Sequence, residues 1–293
     1  MAKEIRLGLI GAGIARSLAP RLHEHLGRLH GLPVRYTLFD AAGVPAFDPL
    51  ALCRERAARG DLGLNVTRPF KQVLRGAVKV EDPRIARIGS INSIRFDPRG
   101  WIGTNTDYTG FLRAYRQRFG ESAPGAVLIA GAGGVGRAVA FALAELGAAR
   151  LRLWDLDGKL AADLAAAVQA ATGVPAAAVT AGALREAVQA AAGLVNCTPV
   201  GMNGAPGEAF PADALRGKGW AFDAVYTPTW TPFLAAAQAA GLAVLTGFEL
   251  FFYQGLDAFR FFTEKDTAPE AVRDTVSAWL NESAPEAENA RRA

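Results

Sequence analysis

Lys71 and Asp107 are the residues in this chain best suited to move a proton. Both follow strand patterns that end in small polar residues: Asn65 and Thr67 precede the lysine, Asn105 and Thr106 the aspartate. An ammonium partly withdrawn from water gives up its proton more readily, and a nearby carboxylate opposes that. The balance decides whether such a pair can exchange a proton with an alcohol. Spacing alone leaves their adjacency open, and as isolated residues both would default to surface or structural ion pairs. Histidine is a weaker candidate, because His23, His25 and His30 all fall on one early helix pattern. There His23 and His25 diverge around the helix, and all three are expected to be solvated.

A second constellation spans Ala126 to Asp157. An apolar strand pattern runs into Gly131-Ala132-Gly133-Gly134-Val135-Gly136, then into a helix pattern and a second strand ending at Asp155. Gly131 suits a tight strand-to-helix turn, Gly133 lets backbone N–H groups approach a pyrophosphate, and Gly136 lets helix and strand pack closely. The helix N-terminus adds unpaired N–H groups and the positive end of its dipole. Asp155 follows at the tip of the next strand, where a carboxylate can accept bonds from ribose hydroxyls. Asp155 and Asp157 would both repel a 2′-phosphate, and Leu156 between them has no guanidinium to hold one, so NAD is favoured over NADP. Lys159, the one nearby cation, reads as a solvated residue at the start of the next helix.

Nicotinamide chemistry on an alcohol needs a group that takes the hydroxyl proton as hydride leaves, and that returns attention to Lys71 and Asp107. The elements that must position them can be read in outline. Strand and helix patterns alternate over the first 107 residues, and Ser90–Phe96 with Trp101–Thr104 reads as a hairpin that delivers Asn105, Thr106 and Asp107. Residues 108–247 carry a doubly wound Rossmann-type sheet of roughly six strands. Asn196 and Thr198, and Val225 and Tyr226, sit at expected carboxyl strand ends, which in such sheets face the ligand. The fold class is therefore α/β: an N-terminal substrate domain over 1–107, a dinucleotide-binding domain over 108–247, and C-terminal helices over 248–282 that pack back towards the first domain. Residues 283–293 lack an apolar period and read as a flexible tail. An earlier glycine loop, Gly11-Ala12-Gly13, leads to Ser17 at a helix start and reads as a site for a carboxylate. Within the apolar helix Gly247–Thr263, Gln254 needs a partner if buried and is a candidate substrate contact.

Composition narrows the function classes. At 293 residues and 51% hydrophobic content the chain can bury two cores. A net charge of +4 without long basic runs gives no nucleic-acid footprint. Cys53 and Cys197 make no disulfide framework or metal pattern, so a reducing cytosol fits and no metal is expected. No leader and no apolar run of about 18 residues is present, which points to a cytoplasmic protein that does not enter a membrane. A small hydroxy acid is the expected partner, with the protein a monomer or homodimer.

Taken together, the ordered motifs resemble the shikimate dehydrogenase family across nearly the full length. The match is carried by the N-terminal glycine loop with Ser17 and Pro20, Asn65-Val66-Thr67-Arg68-Pro69-Phe70-Lys71, Gly89 to Ser93, and Asn105 to Gly110. It continues through Gly131–Gly136, Asn196–Met202, Asp223–Tyr226, and Gly247 with Gln254-Gly255. The resemblance implies interconversion of shikimate or quinate with their 3-dehydro forms, using a nicotinamide cofactor between two domains. It also implies Lys71 and Asp107 as the catalytic pair, Ser17 at the substrate carboxylate with Tyr226 near it, Thr67, Asn92 and Gln254 at the ring hydroxyls, and Gly247 beside the nicotinamide.

Three departures stand out. Ala19 replaces a second hydroxyl residue expected at the carboxylate, a loss worth about ten- to a hundredfold in affinity unless another group, such as Arg16, substitutes. Asp155-Leu156-Asp157 replaces the Asn-Arg-Thr type turn of NADP-using members, as in the NAD-preferring quinate/shikimate subgroup. Leu250 stands where methionine is common, with the charged Glu249 beside it. The Ala19 departure keeps open a different cyclic hydroxy acid such as an aminoshikimate, and a non-catalytic NAD-binding regulator remains a third alternative.

Overall fold

The structure is a computed structural model that describes residues 3–282; the expected tail at 283–293 lies outside the described residues. It divides into two compact units. One comprises the residues up to Thr109 together with Gln254–Ala268, and the other Gly110–Tyr253 together with the described residues from Pro269 on.

The first unit holds a mixed five-stranded sheet of β1 (Ile5–Gly11), β2 (Val34–Asp40), β3 (Gly63–Val66), β4 (Ser93–Arg95) and β5 (Ile102–Thr104), in the order β2-β1-β3-β4-β5. β1 pairs in parallel with both β2 and β3, whereas β4 and β5 form the antiparallel hairpin, with Ser93 opposite Thr104. Its helices are α1 (Ala19–Leu29), α2 (Pro49–Ala58), the single turns α3 (Phe70–Val73) and α4 (Pro83–Ala86), and the start of α5 (Thr106–Phe119). Strand side chains alternate between the faces. Leu7 and Leu9 pack with Tyr36, Ala258 and Phe262 on one face, and Ile10 packs with Cys53, Leu64 and Val66 on the other. Asp107 thus lies in the first turn of α5, which starts at Thr106, two residues before the Tyr108 start read from the sequence.

The second unit is a fully parallel six-stranded sheet, β6 (Ala126–Ala130), β7 (Arg150–Trp154), β8 (Ala176–Ala178), β9 (Gly193–Asn196), β10 (Trp220–Asp223) and β11 (Ala243–Leu245), ordered β11-β10-β9-β6-β7-β8. Helices α6 (Gly134–Glu145), α7 (Gly158–Thr172), α8 (Leu184–Ala190) and α9 (Pro232–Ala239) connect the strands, followed by the start of α10 (Gly247–Thr263) and α11 (Arg273–Glu282). The α/β class and the doubly wound sheet are as the patterns predict. β10 stops at Asp223 rather than Tyr226, because the Asp223 carboxylate accepts a bond from the Val225 N–H and turns the chain. The sequence reading also missed α9, although Thr231-Pro232 marks its start: the threonine hydroxyl caps the Leu234 N–H and Pro232 occupies the first turn. Among the described residues no helix is long and apolar enough to cross a membrane.

One expectation fails in the first unit. His23 is buried, stacked on Tyr36 at 4.8 Å between ring centroids, and its Nδ1 has no hydrogen-bond partner. The apolar stripe of α1 carries it into the core, where burial pushes its pKa down to about 3 from 6.5. The native state refuses a proton that the unfolded chain accepts, so stability is full above pH 6.5 and is lost as pH falls towards 3. A shift of this size is worth roughly 4 to 5 kcal/mol. The expected result is that His23→Leu flattens the acid limb of a urea-unfolding stability profile between pH 6 and 4. An unchanged slope would show that His23 does not govern it.

Candidate active site

In the first unit the site is built where the chain order reverses between β1 and β3, the position at which loops diverge and leave room for a ligand. The loop after β1 carries Ser17, and the loop after β3 carries Thr67 and leads into α3 with Lys71. The two loops are tied by a bond from the Ala12 N–H to the Arg68 carbonyl of 3.0 Å. Gly11 allows this approach, since a Cβ there would lie 2.2 Å from the Thr67 methyl.

Lys71 and Asp107 meet. Lys71 Nζ donates to Asp107 Oδ2 at 2.5 Å, and each side chain is only 9% exposed. Two different elements bring them together: α3 supplies the lysine and the β4–β5 hairpin delivers α5 with the aspartate. Asn105 Oδ1 accepts from the Tyr108 N–H, which begins α5 in a fixed register. The other carboxylate oxygen of Asp107 is held by Asn92 Nδ2 at 3.1 Å. Asn92 also donates to Thr106 Oγ1, and its Oδ1 accepts from the Thr106 N–H and from Ser93 Oγ. Its amide is thus fully engaged, and a ring hydroxyl would have to compete for one of these bonds. Thr106 Oγ1 lies 3.4 Å from Gln254 Oε1, which places Gln254 beside the same cluster.

Ser17 is half-buried, and its Oγ accepts from the Ala19 N–H at 3.2 Å, leaving the hydroxyl proton free to donate. The helix-capping position itself is Leu18. The glycine loop is less open to a ligand than its composition suggests. Asp40, at the end of β2, accepts the Gly13 and Ile14 N–H groups at 2.8 and 3.0 Å. Those bonds, after the one from Ala42, hold its carboxyl below the usual range. Arg16 is exposed, and Tyr226 lies in the second unit, stacked on Phe251 at 4.9 Å.

The second unit repeats the device. Asp155, at the end of β7, accepts the Ala132 N–H at 2.7 Å, as Asp40 does for the first loop. Gly131 adopts φ +95°, and a Cβ at Gly136 would stand 1.9 Å from the Gly131 carbonyl oxygen, so both glycines are required by the turn itself. A Cβ at Gly133 would meet nothing within 4 Å, which leaves that face open. Gly133 caps α6 without a side chain, so the N–H groups of Gly134, Val135 and Gly136 are available to an anion. These residues fit a dinucleotide. Asp157, expected beside Asp155 at the cofactor, instead caps α7 through the Lys159 and Leu160 N–H groups. Lys159 pairs with Asp163.

Asn196 was expected to face a ligand, but its side chain is buried and bonded to the equally buried Asp223. Asn196 Nδ2 donates to Asp223 Oδ1 and to the Val200 carbonyl, while its Oδ1 accepts from Thr198. Burial raises the Asp223 carboxyl to about 6 despite the opposing bonds from Thr231, Val225 and Asn196. This pair braces the loops after β9 and β10, leaving half-buried Thr198 nearer the surface. Gly247 packs on Val225, whose carbonyl oxygen a Cβ would approach to 2.2 Å.

Residues 9–94 match the family model described as the shikimate dehydrogenase substrate binding domain. The quinate/shikimate dehydrogenase (NAD(+)) of Corynebacterium glutamicum strain R is 36% identical over 279 residues, covering 94% of this chain and 99% of that protein. The shikimate dehydrogenase (NADP(+)) of Streptomyces avermitilis is 37% identical over 91% of this chain and 92% of its own length. Among solved structures, quinate dehydrogenase from Corynebacterium glutamicum in complex with NAD superposes with a TM-score of 0.86 at 34% identity, covering 94% of this chain and all of that one. With near-complete coverage in both directions at 36% identity, the chain belongs to the shikimate dehydrogenase family.

Proposed function

We propose that this protein is an NAD-dependent dehydrogenase that interconverts shikimate and 3-dehydroshikimate, quinate and 3-dehydroquinate, or both. The observation that carries this reading is the buried Lys71–Asp107 pair, held from behind by Asn92. The first unit binds the hydroxy acid and the second binds NAD. Ser17 donates its hydroxyl proton to the substrate carboxylate, with Tyr226 near that end. Thr67 and Gln254 hold ring hydroxyls, and Asn92 contributes through the carboxylate it braces. In the oxidative direction Lys71, as the free amine, takes the proton of the reacting hydroxyl and becomes the ammonium that Asp107 holds in place; in the reductive direction that ammonium gives the proton back. When bound, NAD supplies the nicotinamide that receives the hydride. Gly131 to Gly136, the α6 N-terminus, Asp155, Thr198, Val225 and Gly247 form its binding surface. The buried Lys71–Asp107 pair argues against an idle NAD-binding regulator, and the relatives named above favour shikimate or quinate over an aminoshikimate. Two free cysteines, Cys53 and Cys197, support a place in the cytoplasm, with the protein a monomer or homodimer.

Initial rates with shikimate and quinate, each with NAD and with NADP, test the reading. Turnover with NAD at least about tenfold above that with NADP is expected; tight NAD binding without turnover of either acid would overturn it. Asp155→Asn probes cofactor choice. Removing the charge takes away a repulsion and one charge-assisted bond, worth about 1.5 to 3 kcal/mol, so the NAD-to-NADP preference should narrow about ten- to a hundredfold. A variant with an unchanged preference would show that Asp155 does not set it.

A further inference from the structure

At the opposite ends of the same strands, away from Lys71, four guanidinium groups converge. Arg6 on β1 and Arg35 on β2 are in register, so both project from the face that α2 covers. Arg56 in the last turn of α2 and Arg59 just after it complete a cavity of about 500 Å³, which Thr37 also lines. Like charges opposite one another on neighbouring strands destabilise a sheet unless something compensates.

The compensation here is incomplete. Buried Asp61 serves two of the four, accepting from Arg6 Nε at 2.8 Å and Arg56 Nε at 2.6 Å. Arg6 also donates to the Arg59 carbonyl, and the Arg56 guanidinium lies 5.0 Å from the centre of the Phe39 ring, so both forks are held in place. Among the described residues Arg59 has only an exposed pairing with Glu55. Arg35 faces no carboxylate within ion-pair distance among the described residues. The cavity therefore carries a surplus of two positive charges, two guanidiniums fixed from behind, and one left unpaired.

We infer that this cavity is a binding site for a dianionic phosphate group, free or as a phosphomonoester, separate from the dinucleotide site. A phosphate matches the surplus charge, and the planar forks of Arg35 and Arg59 can each engage two of its oxygens, with Thr37 donating a third kind of bond. The cavity extends beyond the volume of a single phosphate, which leaves room for the alcohol part of an ester.

The test is calorimetric titration of the full chain, saturated with NAD so that the α6 N-terminus is filled, using inorganic phosphate and glycerol 3-phosphate at ionic strength held constant with sodium chloride. Saturable binding of either probe is expected, weakened about ten- to a hundredfold in Arg35→Gln and in Arg59→Gln, with turnover of shikimate or quinate unchanged. Binding of both probes identifies an ester site, and binding of inorganic phosphate alone a free-ion site. No saturable heat in the unaltered protein, or equal affinity in both variants, would overturn the inference. Arg35 is exposed and unpaired, so its replacement leaves the fold intact.

Discussion

Lys71→Ala is expected to lower kcat by about a hundred- to ten-thousandfold while the Kd for NAD stays within about twofold, because loss of a positioned proton acceptor acts on the chemical step alone. Among the described residues the lysine ammonium is the only group donating to Asp107 Oδ2, at 2.5 Å, whereas Asn92 still holds Oδ1 in the variant. Breaking a buried pair also leaves a carboxylate without its counter-charge, a cost of roughly 3 to 5 kcal/mol in comparable sites. Stopped-flow hydride transfer, NAD titration by protein fluorescence and thermal unfolding should therefore be measured on one preparation. The double variant Lys71→Ala/Asp107→Asn separates the two effects, since it removes both buried charges: it should recover part of the stability yet remain slow. Hydride transfer within tenfold of the unaltered rate in Lys71→Ala would remove lysine from the mechanism. Loss of NAD affinity in parallel with kcat would instead point to a damaged fold.

Gly136→Ala should have the largest effect on the cofactor. Its Cβ would stand 1.9 Å from the Gly131 carbonyl oxygen, a backbone atom in a turn already at φ +95°, so either the loop or the start of α6 must move. The N–H groups that would hold a pyrophosphate move with it. Loss of even one or two charge-assisted bonds lowers affinity by about a hundredfold or more, and overpacking at a backbone contact costs a further 1 to 3 kcal/mol or so of stability. Gly133→Ala is the informative contrast. At φ −69° and with nothing within 4 Å of the added Cβ, the substitution should leave the melting temperature almost unchanged. Weakened NAD binding in that variant would then report the Cβ meeting the cofactor itself. Should Gly136→Ala bind NAD as the unaltered chain does, the loop would not be the pyrophosphate cradle.

Short-range physics made much of this protein legible in advance. The strand–glycine–helix–strand–acid run from Ala126 to Asp157 could be read because turn chemistry, helix initiation and the acid at the next strand tip all depend on neighbours close in the chain. For the same reason Lys71 and Asp107 stood out as candidates at strand ends. That they form a pair was decided by tertiary structure, since 36 residues separate them and only the packing of α3 against the β4–β5 hairpin closes the distance.

The same limit explains the misreadings. Asn196 looks like a ligand group until Asp223, 27 residues on, takes its amide, and the first glycine loop looks open until Asp40 fills two of its N–H groups. His23 reads as a surface residue by its type, but the apolar face of α1 turns it inward against Tyr36. Local sequence determines where backbone turns and which side chains can act; which polar atoms remain free to act depends on who else reaches them first. That depends on contacts between residues far apart in the chain, and only the folded arrangement of sheet and helix supplies them.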